Sequence, residues 1–261
     1  MLNNLDSIQK KAIKHLRIAL RNDHEHLPSI VSLCDILIES KNYDEAQIIL
    51  KTAVKQSTES AALYYQQAKI SFKILCYEEA LSCIKKSINL QANESKSYWL
   101  AYEILLASNQ QHLAIPYLEK LTDLSPLDGK AFFELAKLLH NADDLSRKKL
   151  LFEIAVELLP NDVRPLIELA LIHIQTDHEN DDQNLNCKPN YIKAENLFKS
   201  AVEINPNLGT PWYFLGKLSL KQKKNKIAQQ QILKAYQFKE TKGKSAYQLG
   251  LLSLHNNKQK Q

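Results

Sequence analysis

The chain has 261 residues, of which 44% are hydrophobic and 24% charged, with a formal net charge of +5 at pH 7. This composition excludes a disordered chain, and the length allows a substantial core. Its five glycines and eight prolines suit a mostly helical protein.

Alanine recurs every 34 residues along the first half of the chain, at Ala12, Ala46, Ala80 and Ala114. A period of this length accommodates two helices and their turns, so it predicts a stack of helix pairs. On this frame residues 1–26 hold a lone helix that corresponds to the second helix of a pair.

Residues 27–242 are predicted to hold six repeats. In the fourth repeat Lys148 stands where the frame places Ala, so we expect a wider helix crossing or a lysine that reaches outward. Ala194 follows Lys148 by 46 residues, 12 more than one period. The additional residues, about 176–190, are rich in Asn and Asp and predict a surface loop.

First helices are expected to begin at capping residues. These residues are Ser60, Asn93, Asp128, Asp162 and Thr210. Residues 243–261 are predicted to hold a lone first helix and a polar tail. In that helix we expect Tyr247, Leu251 and Leu254 to face a groove, and Ala246, Leu249 and Gly250 to pack inward.

One repeat carries the most specific motif, formed by Trp212, Leu215, Gly216, Ala228, Ile232 and Ala235. Small residues such as Gly216 and Ala228 let two helix backbones approach, while Trp212 and Ile232 fill the space beside them. The motif resembles the tetratricopeptide repeat (TPR) family. That resemblance implies an all-α fold, a right-handed α-solenoid of antiparallel helix pairs.

The resemblance also implies a concave surface lined by the first helices, to which positions 2, 5, 9 and 12 of each repeat turn. Position 5 holds Val31, Tyr65, Trp99, Phe133, Ile167, Tyr213 and Tyr247. A stripe of rings suits an extended peptide or an amphipathic helix. The alternative is that the rings pack within the array.

Basic residues accompany the rings. They are Lys96, Lys130, Arg164 and Lys244 at position 2, and Lys69, Lys137 and Lys217 at position 9. Asp35 and Glu103, at position 9 of their repeats, are acidic instead. A basic, aromatic groove favours an acidic ligand, whereas lysines that only solubilise the surface are the alternative.

The C-terminal fifth is strongly basic, with eleven lysines against one acid between Asn207 and Gln261. Lys221, Lys223, Lys224 and Lys226 cluster at a turn between helices. Such a patch binds RNA or an anionic surface through counterion release, or is simply a solvated surface. The apolar lone helix beyond it is expected to be covered by a partner, by a second copy of the chain, or by the polar tail.

Neither catalytic motifs nor zinc or calcium spacings occur in the sequence. Cysteines without disulfide spacing favour the reducing cytoplasm, and no apolar run reaches the roughly 18 residues of a membrane span. We therefore expect a non-enzymatic scaffold, adaptor or assembly chaperone that needs no cofactor or metal. Its partner is expected to be a protein segment, with nucleic acid as the alternative.

Overall fold

The computed structural model describes residues 2–56, 59–140, 144–178 and 189–258. Within these ranges the chain forms fourteen α-helices and a short 3-10 turn, Gln111–Leu113, and no strand. The all-α prediction is confirmed. The helices are α1 (Leu2–Asn22), α2 (Leu27–Glu39), α3 (Tyr43–Gln56), α4 (Ala61–Lys73), α5 (Tyr77–Leu90), α6 (Ser95–Ala107), α7 (Ile115–Leu124), α8 (Gly129–Leu138), α9 (Leu145–Leu158), α10 (Val163–His178), α11 (Pro189–Ile204), α12 (Gly209–Lys221), α13 (Asn225–Tyr236) and α14 (Lys242–Lys258).

The chain divides into two compact units, unit 1 (Met1–Pro126) and unit 2 (Leu127–Gln261). Unit 1 contains α1 to α7, and unit 2 contains α8 to α14. Within each unit every helix packs on the next one along the chain. The pairs are α2 with α3, α4 with α5 and α6 with α7 in unit 1, and α8 with α9, α10 with α11 and α12 with α13 in unit 2.

Every second helix of a pair buries one large side chain at the same repeat position. These residues are Leu50, Ile84, Leu118, Phe152, Phe198 and Ile232, each at most 2% exposed. On α12, a Cβ atom added to Gly216 would overlap Ile232 and lie 3.4 Å from the carbonyl oxygen of Ala228. Glycine is therefore needed for the close approach of α12 and α13, as the motif predicted.

The turn inside a pair has a recurring backbone conformation. A left-handed residue follows the first helix at Lys41, Leu75, Asn109 and Lys223, with φ between 58° and 67°. The residue after each one donates its N–H to a carbonyl five residues earlier, as from Asn42 to Leu37 at 2.8 Å. This Schellman geometry satisfies carbonyls at the helix end, and its first three instances follow the 34-residue period.

The fourth pair ends its first helix differently. Leu139, which follows α8, is extended, with φ −77° and ψ 110°. The Lys148 Nζ atom donates to the Leu139 carbonyl oxygen at 3.0 Å. Lys148, which stands at the position of the small residue, thus caps the carbonyl end of α8 with its ammonium group.

The predicted helix starts were partly right. Ser60 lies at the N-cap of α4 but makes no capping hydrogen bond with its side chain, whereas the Asp128 carboxylate accepts from the Ala131 N–H at 3.3 Å. The predictions at Asn93 and Thr210 were wrong, because α6 follows Glu94 and α12 follows Leu208. At the start of α12 the Gly209 N–H donates to Glu240 at 2.8 Å, so a side chain from a distant turn replaces the local cap.

The predicted insertion lies between α10 and α11. Helix α10 continues to His178 and α11 begins at Pro189. Residues 179–188, which include Cys187, lie outside the described residues, so the surface loop stays a prediction.

Helix α14 packs on α13 through a narrow face that includes the buried residues Ser245 and Leu252. Ala246 and Gly250, which we expected to pack inward, are exposed. That prediction was wrong because no described helix covers this face: a Cβ atom added to Gly250 would have no neighbour within 4 Å.

Candidate functional site

The first helices of unit 1 lie side by side, since α4 contacts both α2 and α6. Two predicted groove rings, Tyr65 and Trp99, lie on this surface and are half-buried. The Lys96 Nζ atom lies 5.4 Å from the centroid of the Tyr65 ring, and Trp99 meets Tyr102 edge to face at 5.7 Å. Each ring is therefore braced by a neighbour and still partly accessible.

The lysines of this surface are matched by acids. The Lys69 Nζ atom lies 2.5 Å from Asp35 Oδ1, across one repeat, and Lys96 lies 3.2 Å from Glu94. Burial raises the pKa of the Tyr65 hydroxyl, and the negative charges of Asp35, Glu103 and Glu94 raise it further. The unit 1 surface is thus aromatic and nearly charge-balanced rather than basic.

In unit 2 the equivalent ring is part of the core. Phe133 is only 3% exposed and lies 5.8 Å from the Phe152 ring. Two cations cover it, with Lys137 Nζ at 5.4 Å and the Arg164 guanidinium at 5.0 Å from its centroid. Phe133 therefore packs within the array, which was the alternative interpretation of the rings. A ligand at this position would contact the two cations and not the ring.

Neighbouring carboxylates hold both cations in place. Asp162 accepts from the Arg164 side chain through both oxygens, with Nε at 3.0 Å from each. These hydrogen bonds lower the pKa of Asp162 although burial opposes them. Lys137 donates to the buried Glu134 at 3.0 Å. Arg164, one of the predicted basic residues at position 2, follows Phe133 by 31 residues, which is the spacing of Lys96 after Tyr65.

The remaining unit 2 rings differ in exposure. Tyr213 is 8% exposed and meets Phe214 edge to face at 5.4 Å, and the Lys217 Nζ atom lies 5.9 Å from its centroid. Tyr247, on α14, is 67% exposed. Lys130 is also exposed, near the start of α8. Of the predicted rings, Tyr65, Phe133 and Tyr213 each lie beside a predicted cation.

Comparisons with known proteins add to this geometry. No family model matches the chain. The BBSome complex member BBS4 of Bos taurus is 24% identical over 207 residues, which cover 77% of this chain and 39% of BBS4. The chain thus spans about two fifths of the length of that relative.

Solved structures match the arrangement of helices more completely. YrrB, described as a TPR protein with an unusual peptide-binding site, superposes with a TM-score of 0.60 at 18% identity and covers 75% of this chain and 95% of its own. The chain has the tetratricopeptide repeat fold. The C-terminal part of a TPR protein from Cytophaga hutchinsonii gives a TM-score of 0.61 at 17% identity, covering 79% of this chain and 78% of its own. PilF of Pseudomonas aeruginosa gives 0.60 at 14% identity, covering 82% and 92%.

The predicted basic patch lies at the turn of the last TPR pair. Lys223 carries the left-handed φ of that turn, and Lys224 and Lys226 are exposed. Lys221 points elsewhere: its Nζ donates to the Tyr191 hydroxyl at 2.8 Å and lies 4.6 Å from the ring centroid. The patch is therefore smaller by one lysine than the sequence indicated.

The described residues also bear on metal binding and on thiol chemistry. Among the described residues no cluster of three or more His, Cys, Asp or Glu side chains is placed to hold a metal ion. Burial raises the pKa of the Cys34 thiol to about 12, helped by the adjacent Asp35, so this thiol stays protonated. Nor does any described helix combine the length and apolarity that crossing a bilayer requires.

Proposed function

We propose that the chain is a non-enzymatic adaptor that holds a segment of another protein on the surfaces of its first helices. The observation that carries this proposal is the pair Tyr65 and Trp99, two half-buried rings on adjacent first helices of unit 1. Large rigid rings give contact area while losing little conformational entropy on binding. An assembly chaperone that holds a subunit before it joins a complex is a special case of this role.

The neighbouring proteins are consistent with this assignment. YrrB has a peptide-binding site and BBS4 is a member of a complex. The free thiols Cys34, Cys76 and Cys83 favour action in the reducing cytoplasm. The similarity to YrrB and BBS4 supports a protein as the partner. The chemistry of the two surfaces indicates which side chains such a partner would carry.

The first-helix surfaces of the two units favour different ligand side chains. On unit 1, lysines are matched by acids, so apolar and aromatic side chains of a ligand would contact the rings. On unit 2, Lys137 and Arg164 are also paired with acids, but they cover a buried ring, so a ligand would contact these cations and Lys217 through carboxylates, by charge-assisted hydrogen bonds. Each surface therefore favours a partner segment of its own composition, apolar on unit 1 and acidic on unit 2.

The test is affinity capture from native lysate, comparing wild type with the double variant Tyr65→Ala, Trp99→Ala. We expect a discrete set of proteins to be lost from the variant. The matched control is Tyr236→Ala, which removes an exposed ring from the second helix α13 and should retain the set. Equal capture by both variants, with unchanged circular dichroism, would overturn the proposal.

Binding of RNA or an anionic surface is the second candidate, favoured by the exposure of Lys223, Lys224 and Lys226. This hypothesis requires that the affinity for RNA or for an anionic surface falls steeply with salt concentration, and that it is lost when the three lysines are replaced by Gln. Nuclease treatment of the captured material separates the two functions, because a protein ligand would survive it.

A second copy of the chain is a further candidate partner. Gly250 on α14 occupies the same repeat position as Gly216, which packs against Ile232. A Cβ atom added to Gly250 would have no neighbour within 4 Å, so this position is not covered by another helix. Leu16 on α1 has the repeat position of Ile232 but is only half-buried, unlike its equivalents in the six pairs. Packing Leu16 of one copy on Gly250 of another would complete a repeat. Sedimentation velocity tests this, since Gly250→Trp should abolish concentration-dependent association and Gly243→Trp, at another open glycine, should not.

A further inference from the structure

A cavity of about 440 Å³ lies in unit 1 between α1 and the turn that joins α2 to α3. It was not anticipated from the sequence, and it is separate from the surface that carries Tyr65 and Trp99. Helix α1 lines it with Lys10, Lys14, Arg17 and Arg21. Because these residues are spaced by four, three and four positions, they share one face of the helix.

The cavity carries an excess of positive charge. Glu45 is its single acidic lining residue, and Arg17 and Asn42 both bond to that carboxylate, Asn42 at 2.8 Å. Of the acidic side chains that the structure describes from residue 8 onward, none lies within ion-pair distance of Lys10, Lys14 or Arg21. Three exposed cations therefore remain for an anionic ligand.

The walls of the cavity are also apolar. Ile13, Ile18 and Leu37 line it, and Ile18 is 42% exposed. A ligand must therefore bring apolar side chains as well as negative charge, which a nucleic-acid backbone does not.

The dimensions also restrict the ligand. From Lys10 to Arg21 the helix rises about 16 Å, three turns, which exceeds the reach of a single phosphate or carboxylate. The wall formed by Leu37, Ser40 and Asn42 makes the site concave, a shape that the flat surface of a bilayer does not match. A helix of similar length with carboxylates along one edge matches both the spacing and the shape.

We propose that this cavity binds an acidic amphipathic helix of a partner protein. Its carboxylates pair with Lys10, Lys14 and Arg21, and its apolar side chains pack on Ile13, Ile18 and Leu37. This is recognition of a helix in a groove, with charge deciding which helices are accepted.

The chain contains its own control one period further along. A smaller cavity of about 200 Å³ is lined by Gln47, Lys51, Lys55, Ser71 and Glu79, each 34 residues after a residue of the first cavity. It has two cations instead of four. The two cavities therefore share a location in the repeat and differ in size and in charge.

The experiment selects ligands from a displayed library of helical 16-residue peptides with wild-type protein, and then measures their affinities by fluorescence anisotropy. We expect enrichment of peptides with acidic and apolar residues on one face. Lys14→Glu with Arg21→Glu should weaken them at least roughly tenfold. The same charge change at Lys51 and Lys55 should leave their affinity unchanged, as should Tyr65→Ala with Trp99→Ala, which disables only the proposed adaptor surface.

A charge exchange adds a second criterion. Replacing the peptide's glutamates by lysines should restore binding to the Lys14→Glu, Arg21→Glu protein. The proposal is overturned if selection yields no acidic amphipathic peptides, or if these bind both double variants equally. It is also overturned if vesicles containing phosphatidylserine, or a 20-nucleotide RNA, depend on Lys14 and Arg21 while the peptides do not.

Discussion

The two units place the same repeat positions in different surroundings. In unit 1, Tyr65 and Trp99 remain half-exposed. In unit 2, Phe133 and Tyr213 are buried, and Phe133 packs against the aromatic ring of Phe152, where unit 1 has Ile84 or Leu118. The repeat thus determines where a ring stands, while its neighbours determine whether a ligand can reach it.

Charge follows the same division. Lysines of unit 1 pair with acids across or within repeats, as Lys69 does with Asp35. In unit 2 Lys137 and Arg164 meet over a buried ring, and Lys217 lies near both Tyr213 and Phe214. Lys137 and Arg164 also bond to acids, Glu134 and Asp162, so the units differ in whether cations cover the rings. Unit 1 therefore presents rings to a ligand, and unit 2 presents the cations that cover its rings.

The largest difference should appear in stability. Phe133→Ala should lower the free energy of unfolding of unit 2 by about 3–5 kcal/mol, because it opens a cavity beside Phe152. Trp99→Ala should cost unit 1 less, because Trp99 is already half-exposed. Urea unfolding followed by hydrogen exchange measures each unit separately, since repeat arrays need not unfold in one step. Equal losses would show that ring burial does not distinguish the units.

Gly216→Ala should produce the next largest effect. Its Cβ atom would overlap Ile232, so we expect a loss of about 1–3 kcal/mol despite the better helix propensity of Ala. Unit 1 has Ala68 at the same position and accommodates its Cβ fully buried. Gly250→Ala is the control within unit 2, and should gain up to about 1 kcal/mol because the space there is open. Thermal unfolding of both variants would show whether the tight helix crossing is confined to the closed pair.

Much of the fold was predictable because it depends on residues close in sequence or one period apart. The spacing of small and large residues around Gly216 and Ile232 identified the helix pairs, and the all-α fold followed. Helix ends were less predictable where the decisive contact is distant. Thr210 was wrongly predicted as a cap. The start of α12 is instead satisfied by the hydrogen bond from the Gly209 N–H to Glu240, a residue too distant in sequence for local patterns to indicate.

The candidate site was less predictable than the fold. A repeat frame treats Tyr65 and Phe133 as equivalent, since burial depends on the identity of a residue in another helix, Phe152. The pairing of Lys69 with Asp35 was within reach, because these residues are one period apart. The basic cavity of α1 was missed because its walls come from three helices and its four cations look like an ordinary solvated face in the sequence.

Acid should weaken unit 2 before unit 1. His173 in α10 is buried, and burial, followed by the charge of Lys149, lowers its pKa, although a hydrogen bond with Asn190 opposes this. Lys193 also lowers the pKa, and Glu153 raises it. The folded state holds the imidazole neutral, so its contribution to stability is complete above the unfolded pKa of about 6.5 and is lost progressively below it.

The described histidines of unit 1, His15, His24, His26 and His112, are exposed. Hydrogen exchange at pH 7.5 and 5.5 should therefore show a greater loss of protection in unit 2. His173→Gln, which stays neutral, should reduce the difference between the units. A loss of equal size in both units of the wild-type protein would assign the acid sensitivity to other groups.

The smallest effects are expected at the turns inside the pairs, where the units should behave alike. Leu75 in unit 1 and Lys223 in unit 2 both adopt left-handed φ values, 67° and 59°, which an L-residue adopts at a steric cost that glycine avoids. Both side chains are exposed, so little packing is lost on replacement. Leu75→Gly and Lys223→Gly should each stabilise the protein by about 0.5–1 kcal/mol, measured by urea unfolding.

Leu90→Gly, at an exposed leucine in the last turn of α5, is the control and should destabilise by a similar amount, because there the backbone is helical. If only one turn variant stabilised its unit, the repeated backbone geometry would not carry the same strain in both units, and the contrast between them would extend from the rings to the turns.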